Sequence, residues 1–357
     1  MKSPTILRLL GAFILAISGL AHAESTPKRI GIIASLSGFA APYGLAIQQG
    51  AQLALSEMNK KGADIELFFQ DDQSDPSKTL SAYRYLKDVN AVELIIGGSW
   101  WIRPIIKVTE RDSIPLISCE TRYDKDFIPA KTYFILAGSV AEWVRVYEPF
   151  FIEKNIHSGA VVRFLSGFGQ SIADEVRLQF SNSGRKFLGD YEYQDLAFSE
   201  ARTVALKVKV ANPAVTYIDG QPEGLANFLK RRKELGMQNS IVIGHSAIET
   251  ALIQRLITPL EARNLYFLRR KEPSPNFSRN FEAMFNTKPR LNADLGYYAL
   301  HLGATALSSK DVLATLRLGM TIDGQRIYFN QNQVAKGIEQ EIYFVNHSGE
   351  VVRWKAS

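Results

Sequence analysis

Short apolar runs alternate with helical periods along this chain, in two successive series. The first opens at Arg29–Ser35, a continuous apolar run that ends in turn residues and reads as a buried strand. Ile47, Ala51, Leu55 and Met58 repeat on one face and predict a helix over 44–60. Strands at 66–70, 92–96 and 115–118 and helices at 76–87 and 102–111 continue the pattern. A strand at 133–136 leads into the second series. It runs through helix 141–154, strand 160–164, helix 171–181, strand 186–193, helix 200–209, strand 214–218, helix 223–235 and strand 240–244. Such alternation builds parallel sheets from βαβ units. The 357 residues, 46% hydrophobic, supply two cores, since single cores stop growing near ~250–300 residues. The last third changes character, with helices at 277–285, 294–307 and 310–318 and strands at 326–330 and 341–345. That tail adds helices to one lobe and strands to the other, and so ties them by several crossings.

The N-terminus reads as an export signal. Lys2 and Arg8 form a basic region, Leu9–Leu20 a short apolar core, and Ala21-His22-Ala23 the small-residue cleavage site, so the mature chain is expected to start at Glu24. The apolar core is too short to span a bilayer, which takes about 20 residues, and no later stretch is long enough either. Losing Lys2 and Arg8 lowers the net charge from +6 to +4. The basic runs Lys230–Lys233 and Arg269–Lys271 are short and lack interleaved aromatic residues, which reads as solvated helix face rather than a nucleic-acid surface. Cys119 is the only cysteine, which excludes an internal disulfide, a Cys-rich metal site and a lipid-modified mature N-terminus. A soluble monomer of a bacterial periplasm is expected, because exported eukaryotic proteins of this size more often carry disulfides.

Little in the chain supports catalysis. There is no Gly-rich loop ending in Lys-Ser/Thr, no His-Glu-x-x-His, and Gly167-x-Gly169 alone is too weak for a dinucleotide site. The mature histidines 157, 245, 301 and 347 are scattered, so neither a zinc site nor another cofactor is expected. Asp71-Asp72 reads as a cap on its loop and the following helix. Gly244-His-Ser-Ala-Ile248 looks like a nucleophile elbow, but Ile248 is large where a small residue is needed. A hydrolase acting through Ser246 would draw partners from Asp294 or Asp311 and His301 or His347. Binding is better served. Ser99 ends a strand just before a helix, where free N–H groups and the positive helix end favour an anion, and the Thr121 hydroxyl follows the next strand. Tyr43, Trp100, Trp101, Phe168 and Tyr217 fall at strand ends or just beyond them, where open α/β sheets bind ligands. A tryptophan pair beside an anion anchor favours an apolar or aromatic ligand.

Several motifs in order carry a family likeness: Ile30–Gly38, Tyr43-Gly44, Asn59–Gly62, Asp71–Lys78, Ile95–Ser99, Ile114–Ser118 with Thr121, and Gly167–Gly169. With Tyr328-Phe329, Gly337 and Tyr343, this resembles the leucine/isoleucine/valine-type periplasmic binding proteins from about 28 to 354. The resemblance implies two Rossmann-like doubly wound lobes joined by a three-crossing hinge, a type I binding protein. The expected lobes are 28–137 with 263–330, and 138–262 with 331–357. It also implies a ligand α-carboxylate at Ser99 and Thr121, with Cys119 and Glu120 alongside, and no enzymatic activity. By this likeness the protein captures a small ligand by hinge closure and hands it to the permease of an ABC importer, or signals to a membrane kinase or chemoreceptor. Amino-acid binders of this type hold the ligand ammonium with an acid after the strand matching 240–244. Here that place reads Gly244-His245-Ser246-Ala247. Asp219 or Glu120 can substitute; without either, the ligand is a simple carboxylic or aromatic acid.

Overall fold

The computed structural model describes residues 26–123 and 130–356, so the expected signal segment 1–23 lies outside the described residues. The first lobe begins with β1 (Lys28–Ala34), α1 (Ala41–Asn59), β2 (Ile65–Asp71), α2 (Pro76–Asp88), β3 (Leu94–Gly98), α3 (Arg103–Arg111), β4 (Leu116–Ser118) and β5 (Tyr133–Ile135). Its strands form one parallel sheet in the order β2-β1-β3-β4-β5. Ile30 and Ile32 face one core while Ile33 faces another, which is why β1 is apolar without alternation.

The chain then crosses to the second lobe with α4 (Val140–Val146) and α5 (Glu148–Glu153). The single helix expected over 141–154 is broken there, because Pro149 opens α5 and cannot continue the hydrogen-bond ladder of α4. Next come β6 (Ser158–Phe164), α6 (Gly167–Asn182), β7 (Lys186–Tyr193), α7 (Ala201–Ala211), β8 (Val215–Ile218), α8 (Pro222–Glu234), β9 (Ile241–Gly244), α9 (Ala247–Ile253) and β10 (Leu265–Arg270). The first lobe is completed by α10 (Pro275–Phe285), α11 (Ala293–Leu307), α12 (Val312–Leu318) and a small antiparallel sheet of β11 (Met320–Ile322), β12 (Gln325–Phe329) and β13 (Ala335–Lys336). Two last strands, β14 (Gln340–Val345) and β15 (Val351–Arg353), return to the second lobe, whose sheet runs β15-β14-β10-β9-β8-β6-β7.

Both later boundaries differ from expectation. Leu265–Arg270 pairs with β9 and β14, so the second lobe runs on to Arg270 rather than ending at 262. Ala335–Lys336 pairs with β12, so the first lobe runs past 330 to about this hairpin. The expected solvated faces are also corrected. Arg232 is 1% exposed, inside the second lobe, and Arg270 is 7% exposed at the end of a strand. Both arginines find oxygen partners from distant segments, which allows such burial. Within the first lobe, α1 and α11 cross at glycines. A Cβ on Gly50 would lie 1.8 Å from the Ala293 carbonyl oxygen, and one on Gly296 2.0 Å from that of Ile47. Among the described residues, no helix is long and apolar enough to cross a membrane.

Candidate functional site

The carboxyl ends of the parallel strands carry the loops that meet between the lobes. After β1, Tyr43 reaches across to share a hydrogen bond with Thr250 of α9, and burial pushes its phenol up to about 12. After β4, Tyr123 lies 6.0 Å, edge on, from Phe168 at the start of α6. Arg270 at the end of β10 pairs with Asp294 at the start of α11.

Under the first lobe's face sits Asp72, fully buried. It accepts from Ser35 Oγ (2.7 Å), from the Ser74 N–H (3.1 Å), from Thr79 Oγ1 (3.4 Å) and from the Ser99 hydroxyl. Ser99 Oγ in turn accepts the Trp101 N–H at 3.0 Å. Its proton thus points to Asp72. Asp71 accepts the N–H groups of Leu36, Ser37 and Gln73 and the Ser37 hydroxyl, which hold its carboxyl below the usual range despite some desolvation. The acidic pair therefore fastens loops. Among the described residues, no group of three or more His, Cys, Asp or Glu side chains is placed to hold a metal ion.

Glu120 and Thr121 line a small cavity with Arg103, Ile106, Tyr123 and Tyr133. Burial raises the Glu120 carboxyl to about 8, and the Arg103 charge and the Ile102 N–H only partly offset it. Between its ordinary value and about 8, the folded chain keeps a proton that the unfolded chain has released, so this group's contribution to stability falls as pH rises through that window. Glu120→Gln should remove the dependence. Its thermal midpoint relative to wild type is expected to rise between about pH 5 and pH 8.5, and parallel curves would show that Glu120 does not titrate there.

Two ring clusters lie near strand ends. Trp100 packs on Tyr43 (5.0 Å between centroids) and Phe39 (5.7 Å) in the first lobe. In the second, Phe168 meets Trp143 (5.9 Å) and His245 (5.5 Å), and Trp143 lies 6.1 Å from His245. Trp101 is half-buried, and its Nε1 is enclosed without a hydrogen-bond partner. Asp219, 3% exposed, accepts from His245 Nε2 at 2.8 Å, while the other ring nitrogen accepts the Ala247 N–H at 3.3 Å.

Other expected residues lie elsewhere. Tyr217 is packed in the second lobe's core beside Tyr147, with its hydroxyl buried and lacking a partner. Cys119 faces the first lobe's core, where burial drives its thiol far above the ordinary range. Ser246 is half-buried at the start of α9. Of the residues proposed to activate it, Asp294 is held by Arg270, Asp311 caps α12, and His301 packs on Tyr297 at 4.6 Å. The sequence reading missed Trp143, Tyr123, Glu249 and Arg270. Trp143 sits on the apolar stripe of its helix and is indistinguishable there from a core residue.

A family profile described as periplasmic binding protein matches residues 27–337. The chain belongs to the periplasmic binding protein family. This periplasmic binding protein is 23% identical over 256 residues, 68% of each chain, to Leu/Ile/Val-binding protein homolog 3 of Brucella melitensis. Its fold is similar to the branched-chain amino acid transporter substrate binding protein LivJ of Streptococcus pneumoniae, solved with isoleucine. That match has a TM-score of 0.78 and 20% identity over 92% of this chain and 100% of that one. It is also similar to a solute binding protein of R. palustris solved with benzoate, at a TM-score of 0.76 and 16% identity over 92% and 95% of the two chains.

Proposed function

We propose that this protein is an extracytoplasmic solute-binding protein. It captures a small carboxylate-bearing ligand, an amino acid or a close relative, and delivers it from the periplasm to the permease of an ABC importer. The observation that carries this reading is the meeting of strand-end loops from two separate sheets, joined by the Tyr43–Thr250 hydrogen bond. Parallel α/β sheets bind ligands at that edge. Closing two such edges on one ligand encloses it and makes the closed shape the signal for delivery. The isoleucine and benzoate held by the two similar structures fit a small acid in this position. Thr121 is the proposed hydroxyl donor to the ligand carboxylate. Trp101 Nε1 is a second, since it is enclosed without a protein partner.

A thermal-shift screen of amino acids, aromatic acids, short amides and urea-like compounds tests the reading. A ligand should raise the midpoint and reduce the radius of gyration in solution scattering. If no compound does either, the binding reading is wrong. Once a ligand is found, Thr121→Ala should weaken it by roughly 10- to 150-fold, the loss of a hydrogen bond to a charged group. Unchanged affinity by calorimetry would remove Thr121 from the site.

A further inference from the structure

The acids around the interface between the lobes are already engaged. Asp219 gives one oxygen to His245 Nε2 at 2.8 Å. Its other oxygen lies against the first turn of α6, 2.8 Å from where a Cβ on Gly169 would stand. Helix N-termini carry partial positive charge, so this end of α6 favours the carboxylate from within the second lobe. Glu249 lies 3.4 Å from Arg269 Nε, and Asp294 is held by Arg270. Glu120 faces the Arg103 charge, and burial favours its protonated form. Glu223, near Tyr43, is exposed at the start of α8, in water rather than in an enclosed site. A ligand ammonium taken from water into this site would therefore meet, among the described residues, no carboxylate without a partner, and an uncompensated buried charge is costly.

The walls point the same way. Tyr123, Trp143, Phe168 and His245 form a run of ring contacts at 5.5–6.1 Å. In the first lobe Trp100 stands on Tyr43. Flat apolar rings with few polar atoms select a flat ligand.

Resting on the solute-binding reading above, we infer that the ligand is an aromatic carboxylic acid without a free ammonium. His245 is the residue that sets this preference, by holding Asp219 away from the ligand. An amino-acid ligand would need Asp219 to exchange its histidine for the ammonium. A des-amino acid leaves the pair untouched and spends its ring on Trp100 and Phe168.

Calorimetric titration of wild-type protein with benzoate, phenylacetate, phenylalanine and leucine tests this, and needs no variant to fold. Benzoate or phenylacetate should bind, with phenylalanine and leucine weaker by roughly 100-fold or more. His245→Ala, which frees Asp219, should narrow the gap between phenylacetate and phenylalanine by at least roughly tenfold. An equal or tighter affinity for phenylalanine or leucine overturns the inference while leaving the solute-binding reading intact. So does a ligand drawn only from the amides or urea-like compounds of the thermal-shift screen. An unchanged gap in a folded His245→Ala protein overturns the role of His245. Failure of every compound in the screen would instead remove the solute-binding reading on which the inference stands.

Discussion

Asp294→Ala is expected to lower the free energy of unfolding by about 3–5 kcal/mol, the usual result of removing one partner from a buried ion pair. Arg270 makes two parallel bonds to Asp294, Nε to Oδ2 at 2.6 Å and Nη2 to Oδ1 at 2.9 Å, and Nη2 also donates to Asn292 at 2.8 Å. The arginine side chain is 6% exposed and that of Asp294 13%, so solvent screens the pair little. Removing the carboxylate leaves a guanidinium buried between lobes with one neutral oxygen for a partner. Urea titration followed by circular dichroism measures the loss. The double variant Arg270→Met/Asp294→Leu removes both charges and should regain most of it. A single-variant loss below about 1 kcal/mol would place the pair among exposed ones.

Arg232→Met should cost the second lobe about 3–5 kcal/mol, for a different reason. Among the described residues, no carboxylate touches this guanidinium. It donates to the carbonyl oxygens of Gln238 (3.0 Å), Ser240 (2.5 Å), Arg263 (2.9 Å) and Glu261 (3.3 Å). Two effects oppose each other in the variant. Burial already depresses the Arg232 pKa to about 10, so removing the charge relieves a penalty. The carbonyls of Ser240, Arg263 and Glu261 then lose this donor, each at about 1–3 kcal/mol, while that of Gln238 keeps Asn264 Nδ2 at 3.2 Å, and this sum wins. The lobe's unfolding midpoint in urea should fall accordingly, and Arg232→Lys should recover part of it. A stable methionine variant would mean that water replaces the guanidinium.

The alternation of strands and helices is a local property, and it was legible. The strand over 186–193 and the helices over 76–87 and 200–209 are found within a residue or two of their expected ends. Strand β10 was hidden because Arg269 and Arg270 read as a solvated patch. Their acids, Glu249 and Asp294, come from other elements and are seen only once the chain is folded. The site shows the same division. Tyr43, Trp100 and Phe168 were named from their places after strands, while Trp143 and Tyr123 were not. The commitments of its polar groups were not legible, because Ser99 and Asp72 are 27 residues apart and Asp219 and His245 26. Sequence identifies which groups can bond; pairing over such distances is decided by the sheets between them.

The order in which strands and helices are laid down also governs when the molecule can form at all. The face of the first sheet opened by β1 is covered by α11, whose Gly296 rests on the backbone of α1, and β10 needs β14 along its second edge. A chain emerging from the ribosome from its N-terminus meets neither partner until the segments that carry them have followed. Contacts of such sequence separation form slowly. Until then each lobe lacks a wall of its core.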